Sequence, residues 1–188
     1  MSTVKRKKII VVLVGCILAV VVYIFCYMNE NAREVQKEWV LSDREVSKIE
    51  VKGLSQRLDL CVKKSDGRGN RVSIKGKMPE SFADKIESLE PQKDSFVIDM
   101  MTSWGISIVK NTKDTLNITI WLEDEELLKK LAVRSNRGDV DLTVPKDFQA
   151  KYQLSTSYGE VEAPKEQTDT KREVSIELGS GDITVRKE

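Results

Sequence analysis

The sequence predicts an all-β domain, built as a single-chain β-solenoid, that follows one N-terminal transmembrane helix. Three observations support this prediction. An uncharged apolar run occupies residues 9–28. From residue 47 onward, apolar residues alternate with polar ones, which is the period of half-buried strands. Near the C-terminus, a glycine followed by an acidic residue recurs at a nearly constant spacing, as in proteins built from stacked repeats.

The N-terminal segment has the pattern of a membrane anchor. Lys5, Arg6, Lys7 and Lys8 precede the uncharged run 9–28. As a helix, a run of about 20 residues is roughly 30 Å long, which matches the hydrocarbon core of a bilayer. Basic residues remain on the cytoplasmic side, so we expect a single-pass chain with its C-terminal domain outside the cytoplasm.

Three alternatives for this segment fit less well. A cleaved signal peptide has a shorter apolar stretch and a small-residue cleavage site, whereas residues 25–28 are bulky. A bacterial lipoprotein box is matched by residues 13–16, but a mature lipoprotein usually continues with polar residues, and 17–25 are apolar. A buried core helix does not explain the terminal basic cluster.

The rest of the chain divides into a stalk and a β domain. Ala32, Val35 and Trp39 recur at helical spacing, which predicts a short helical stalk, with a disordered tether as the alternative. We therefore expect a cytoplasmic N-terminus at 1–8, a transmembrane helix at 9–28, a stalk at 29–46 and an extracytoplasmic β-repeat domain at 47–188.

Period-two alternation predicts eight strands in the β domain. Their apolar positions are Ile49/Val51, Leu58/Leu60/Val62, Val72/Ile74, Ile106/Ile108, Ile118/Ile120/Leu122, Val140/Leu142/Val144, Val174/Ile176/Leu178 and Ile183/Val185. The segments between them are too short for the helices of a parallel α/β fold. Only two short helices are expected, within Met78 to Glu90 and within Glu123 to Lys130.

The repeat is the most specific feature of the sequence. Its corners are Gly138-Asp139, Gly159-Glu160 and Gly181-Asp182, each followed by a β-branched residue. The glycine allows the chain to turn with a positive φ, and the β-branched residue points inward. One such unit cannot bury its apolar face, so the units must stack, which favours a solenoid. The alternative is a β-sandwich in which these are three hairpin corners.

Composition excludes several classes of function. The chain of 188 residues has a net charge of +1, which does not favour nucleic acid as a partner. It has no histidine, which excludes Ser-His-Asp and Cys-His catalysis and histidine-ligated zinc. Of the three cysteines, Cys16 and Cys26 lie in the predicted span. Cys61 is then the single cysteine of the β domain, so this domain has no internal disulfide. That pattern fits a Gram-positive envelope protein.

The corner motifs resemble the "putative adhesin" domain family of bacterial envelope proteins, over about 47–188 and most closely over 131–188. The resemblance implies a single-chain β-solenoid with no catalytic residues to carry over. In low-GC Gram-positive bacteria, some domains of this family follow one membrane helix and are encoded in envelope stress-response operons. The resemblance implies that this chain is of that type. The sequence departs from the pattern at Glu160 and Ala163, which implies looser stacking of the middle repeat.

Other residues invite a chemical interpretation. Stacked Asp139, Glu160 and Asp182 would form an acidic ladder that could hold calcium, although solvated turn acids are the simpler reading. The acids Glu123, Asp124, Glu125 and Glu126 have the pattern of a helix start rather than of a catalytic pair. The sequon at Asn117 to Thr119 lies inside a predicted strand. Four aromatic residues could form a sugar-stacking or partner surface, namely Trp104, Trp121, Tyr152 and Tyr158.

These observations predict a non-enzymatic interaction or sensing module with no catalytic, cofactor or metal site. Its expected partners are the lipid bilayer, through the N-terminal helix, and a membrane protein or wall polymer of the envelope. A cell-surface glycan-binding adhesin and a polysaccharide lyase on the same scaffold are the alternatives.

Overall fold

The structure is a computed structural model that describes residues 12–23, 31–101, 114–165 and 170–188. The chain divides into two compact units, Met1–Asn31 and Ala32–Glu188. In the first unit, residues 12–23 are helical and their side chains are exposed.

The structure does not confirm the predicted transmembrane helix. Across the described ranges, no helix combines the length and the apolar character needed to cross a membrane. The described helical residues cover only part of the predicted span 9–28. The remainder, with Lys5, Arg6, Lys7, Lys8 and Cys26, lies outside the described residues.

The described residues of the second unit form two sheets and two short α-helices. The strands are β1 (Ala32–Leu41), β2 (Lys48–Leu54), β3 (Leu58–Lys64), β4 (Asn70–Pro79), β5 (Phe96–Asp99), β6 (Leu116–Leu122), β7 (Lys130–Ser135), β8 (Val140–Val144), β9 (Lys151–Thr156), β10 (Val161–Glu162), β11 (Glu173–Leu178) and β12 (Ile183–Lys187). The α-helices are α1 (Asp43–Val46) and α2 (Glu80–Ser88), and Glu125–Leu127 forms a 3₁₀ turn. The all-β class is therefore confirmed.

The architecture is β-solenoid-like. The seven-stranded sheet has the order β1-β4-β6-β3-β8-β12-β10, and the five-stranded sheet has the order β5-β2-β7-β11-β9. Pairs of consecutive strands form the rungs of the solenoid, with one strand of each pair in each sheet. The described residues form five rungs, namely β2/β3, β5/β6, β7/β8, β9/β10 and β11/β12. All pairings between neighbouring rungs are parallel. Stacked parallel rungs are the arrangement of a solenoid, and the hairpins of the alternative sandwich would pair antiparallel.

The rungs do not stack in chain order. In space they follow the order β5/β6, β2/β3, β7/β8, β11/β12 and β9/β10. The last rung of the chain therefore lies between the third and fourth. Its strand β11 contributes Val174, Ile176 and Leu178, all buried. The corresponding positions in β9 include Tyr152 and Leu154, which are only half-buried. The more apolar rung occupies the inner position because it buries more apolar surface there.

One end of the solenoid carries a cap of different structure, formed by β1, β4 and α2; we call it the capped end. Strand β4 pairs antiparallel with β6, and β1 pairs antiparallel with β4. Helix α2, expected within Met78 to Glu90, packs on β1 through buried Phe82 and Ile86. This cap ends the stack of parallel rungs on one side.

Residues expected in the helical stalk form strand β1 instead. Val35, Trp39 and Leu41 are buried at period two. Two other inward positions are occupied by Arg33 and Lys37, which conceal the alternation in the sequence. Both extend to α2: Arg33 pairs with Asp84 at 2.9 Å, and Lys37 donates to backbone carbonyls at the end of the helix. Tertiary contacts thus use long basic side chains where a pattern analysis expects apolar ones.

Most of the predicted strands are present. The pair Ile106/Ile108 lies outside the described residues. Besides β1, the sequence analysis missed β5, β7, β9 and β10. Strands β5 and β10 are short, β9 carries few aliphatic residues, and three consecutive residues of β7 are buried, which interrupts its alternation. The helical turn expected within Glu123 to Lys130 is the 3₁₀ turn.

Candidate interaction surface

The three predicted glycine corners stack on one another. Their order along the solenoid is Gly138, Gly181 and Gly159, because the β11/β12 rung is inserted. Gly138 has φ +103° and Gly181 has φ +132°, so both adopt a backbone conformation that favours glycine. A Cβ on Gly181 would also collide with the carbonyl of Gly138 in the neighbouring rung. The corners are therefore packing points between rungs.

The acids that follow these glycines bond to backbone rather than to each other. The Asp182 N–H donates to Oδ1 of Asp139 at 3.0 Å, and the Glu160 N–H donates to Oδ1 of Asp182 at 2.8 Å. Each aspartate thus accepts a hydrogen bond from the next rung in space. Among the described residues, no group of three or more side chains is placed to hold a metal ion. The acidic ladder exists in a different order from the one expected, and it stabilises the corners.

The acidic run before β7 also has structural partners. Asp124 caps the 3₁₀ turn by accepting from the Glu126 N–H, and Glu126 pairs with Arg172 at 3.3 Å. Asn117 and Thr119 lie on β6, as expected.

The predicted aromatic residues do not form one surface. Trp104 lies outside the described residues. Trp121 is on β6, toward the capped end, with the Arg71 guanidinium 4.8 Å from its ring centre. Tyr152 and Tyr158 both belong to the β9/β10 rung at the opposite end. Tyr152 is half-buried, whereas Tyr158 is 78% exposed.

Among the shallow grooves on the described surface, two carry charged side chains that are largely paired. One groove, of about 520 Å³, follows the carboxyl ends of the five-stranded sheet. There Arg134 pairs with Glu177 at 3.3 Å, and Lys52 pairs with Glu50 at 3.0 Å. The other, of about 340 Å³, lies on the seven-stranded sheet, where Asp141 pairs with Arg57 and Arg186. Paired charges keep these outer faces soluble, and they offer little free charge to a ligand.

Cys61 borders the second groove and is a free thiol. Burial raises the pKa of the Cys61 thiol above its ordinary value, and this effect is larger than the opposing effect of Lys63. The thiol is therefore protonated at neutral pH and is a poor nucleophile.

The end opposite the cap is formed by β9 and β10, and we call it the open end. In the described structure, β9 pairs only with β11 and β10 pairs only with β12, so both are edge strands. Val161 is 46% exposed and Tyr158 is 78% exposed. The rung expected to stack loosely, at Glu160 and Ala163, is thus the terminal one. The open end combines exposed apolar side chains with two edge strands, and we take it as the candidate interaction surface.

Two buried arginines are important residues that the sequence analysis missed. Arg172, 5% exposed, precedes β11 and donates to the carbonyls of Leu128 at 3.0 Å and Gln149 at 2.9 Å. Its guanidinium stacks 4.2 Å from the ring centre of Phe148. Arg71, 2% exposed, pairs with Asp66 at 2.8 Å. No local pattern distinguishes either arginine from the many exposed ones in the chain.

Comparison with solved structures gives distant likenesses. A "putative cell adhesion protein" from Clostridium sporogenes shares 11% identity at a TM-score of 0.31, over 83% of this chain and 100% of that one. A "putative adhesin" from Parabacteroides merdae shares 11% at 0.37, over 84% and 57%. A "putative lipid binding protein" from Parabacteroides distasonis shares 14% at 0.36, over 84% and 61%. This chain thus spans about three fifths of the two Parabacteroides chains. At these TM-scores the likenesses carry no argument about function.

Comparison with protein-family models shows which family the chain belongs to. No curated protein matches the sequence. The family model described as Toastrack DUF4097 matches residues 85–186, which include strands β5 to β11 and all but the last residue of β12, and therefore contain four of the five described rungs almost completely. The adhesin-domain family expected from the corner motifs is confirmed at this level. Since the match extends over 102 of the chain's 188 residues, the protein belongs to the Toastrack DUF4097 family.

Proposed function

We propose that the protein is a non-enzymatic, membrane-tethered interaction module that contacts a membrane protein of the cell envelope through its open end. The observation that carries the proposal is the difference between the two ends. A repeat protein needs a polar cap at each end to remain soluble and monomeric. Here β1, β4 and α2 form a cap beyond the last rung at the capped end, whereas at the open end the terminal rung itself exposes Tyr158 and Val161.

The sequence supports a location at the outer face of the cell membrane. The basic cluster Lys5, Arg6, Lys7 and Lys8 before the apolar run 9–28 favours a single-pass, N-in orientation. A tethered domain meets membrane partners at high effective concentration, so a small surface suffices for binding. The proposed role in the envelope stress response of a Gram-positive bacterium rests on the family resemblance.

Photo-cross-linking in intact cells tests the proposal. A photoreactive residue replaces Tyr158 at the open end in one strain and Val40 at the capped end in another. Val40 is the matched control because it is apolar, 72% exposed and on an edge strand. Adducts are identified by mass spectrometry in the full-length tethered protein.

The proposal predicts that position 158 captures one membrane protein and that position 40 does not. The adduct should disappear when Val161→Asp is added, because a charge at the contact prevents its burial. Equal protein capture at both positions, or no protein capture at 158, would overturn it. Wall polymer as the sole adduct would also overturn it and would favour the glycan-binding alternative.

A further inference from the structure

The two edge strands of the open end differ in how well they are protected. Strand β10 has two residues, of which Glu162 is one; Glu160 precedes it and Pro164 soon follows it. Shortness, charge and proline are the features by which proteins prevent a strand from joining an edge. Strand β9 has six residues and neither a proline nor an acid. Of these two edges, only β9 is built to accept another strand.

The backbone of β9 is oriented for such an addition. The Lys151 N–H donates to the Arg172 carbonyl at 2.9 Å, and the Ser157 N–H donates to the Leu178 carbonyl at 3.1 Å. In a parallel ladder, alternate residues bond to the same neighbour. The intervening residues Tyr152, Leu154 and Thr156 therefore direct their N–H and C=O groups to the unpaired side.

The side chains of β9 indicate the chemistry of the added strand. Tyr152 and Leu154 face the core, so the inward residues of a neighbouring strand should be apolar. On the outward face, Lys130 of β7 pairs with Glu173 of β11 at 2.9 Å, and Lys151 follows Glu173 in the same row. Lys151 is exposed and forms no ion pair within the described ranges. An acidic residue opposite Lys151 would extend this alternation of charge.

A second copy of the chain fits the open end poorly. A two-fold axis that pairs β9 with β9 of the other copy, perpendicular to the sheets, also brings the two β10 strands together. Glu160 and Glu162 would then face the same acids of the other copy, and like charges on paired strands repel. We infer that β9 binds an extended segment of the partner protein as a sixth strand of its sheet, with apolar residues inward and an acid opposite Lys151. This inference rests on the proposed function and specifies its contact.

A peptide-binding experiment on the full-length protein tests the inference. The probe is a labelled peptide with the sequence of residues 172–179, Arg-Glu-Val-Ser-Ile-Glu-Leu-Gly, which has the required alternation. Leu154→Pro removes an N–H on the open edge, and Leu154→Ala is its matched control, because both lose the leucine side chain but alanine keeps the N–H. We expect Leu154→Pro to weaken peptide binding at least tenfold relative to Leu154→Ala. Equal affinities in two folded variants would overturn the inference.

A charge exchange keeps the test valid if the proline variant does not fold. Lys151→Glu should weaken binding of the acidic peptide several-fold and strengthen binding of a peptide with both glutamates changed to lysine. Amide exchange in the wild-type protein should show new protection at Tyr152, Leu154 and Thr156. Failure of either measurement, with position 158 still capturing its partner in cells, would overturn strand addition but not the open-end contact.

Discussion

The two ends of the solenoid differ in how completely the apolar side chains of the terminal rung are covered. At the capped end, Trp39 is 6% exposed, packs 4.9 Å from Phe96 between ring centres, and donates to the Leu89 carbonyl at 2.9 Å. At the open end, the aromatic residue Tyr158 is 78% exposed. Within the described residues, a helix and two antiparallel strands cover the capped end, and the open end has no comparable cover. The proposed contact at the open end rests on this difference.

The largest loss of stability is expected at the glycine corners, where the rungs between the two ends pack against each other. Gly181→Val should destabilise the protein by at least about 4 kcal/mol, because a side chain collides with the Gly138 carbonyl and strains a positive φ. Gly67→Val is the control, since Gly67 has φ +87° but nothing within 4 Å of an added Cβ. Urea unfolding measures both. Similar losses would show that rung packing at the corner contributes nothing beyond backbone strain.

The second prediction compares the aromatic residues of the two ends directly. Trp39→Ala should cost about 3–5 kcal/mol, since it leaves a cavity in the cap and removes one of the two donors to the Leu89 carbonyl. Tyr158→Ala should change stability by no more than about 0.5 kcal/mol. Thermal unfolding of the two variants tests the difference. A large loss for Tyr158→Ala would mean that the open end is part of the stable core.

The third prediction concerns how the rungs near the open end are held. Arg172→Met should cost about 2–3 kcal/mol, because the carbonyls of Leu128 and Gln149 lose their buried donor. Arg33→Met at the capped end should cost about 1 kcal/mol or less, since its ion pairs with Asp84 and Glu87 are partly exposed. Denaturant unfolding checks the ratio. Equal costs would refute the distinction between a buried and a surface arginine.

The smallest effect is expected at Tyr152. Its hydroxyl is buried and has no hydrogen-bond partner in the described part of the chain, so Tyr152→Phe should stabilise the protein by about 0.5–1 kcal/mol. Burial raises the pKa of Tyr152, and this outweighs the lowering effect of Arg172. The folded state therefore holds the phenolic proton more tightly than the unfolded chain does. Wild-type stability should fall as the pH rises above about 10, and this part of the fall should be absent in Tyr152→Phe.

Comparing urea unfolding at pH 7 and pH 10.5 for the two proteins measures this effect. An identical loss of stability in both would mean that Tyr152 does not contribute to the alkaline sensitivity.

Regular alternation made much of the solenoid predictable. Leu58, Leu60 and Val62 specify an inward row without reference to any other part of the chain, because the side-chain period of a strand is two. The corner at Gly181-Asp182 was predictable as a turn for a similar local reason. Strand β1 of the cap was not: Arg33 and Lys37 occupy its inward positions, and only the position of α2 explains their role.

The candidate surface depended still more on tertiary structure. The repeats at Gly138, Gly159 and Gly181 predicted stacking, but not that the last rung of the chain would enter between two earlier ones. That insertion puts β9/β10 at the end and exposes Tyr158 and Val161.

The sequence by itself determined that the domain is all-β, that its strands alternate, where three of its corners lie and which family it belongs to. These properties depend on residues close together in the chain, so local chemistry specifies them. Only the tertiary structure decided the order of the rungs, the conversion of the expected stalk into a cap, and the identity of the open end. Each of these depends on which of several apolar surfaces buries most area when distant segments compete for the same neighbours, and a local pattern cannot rank that competition.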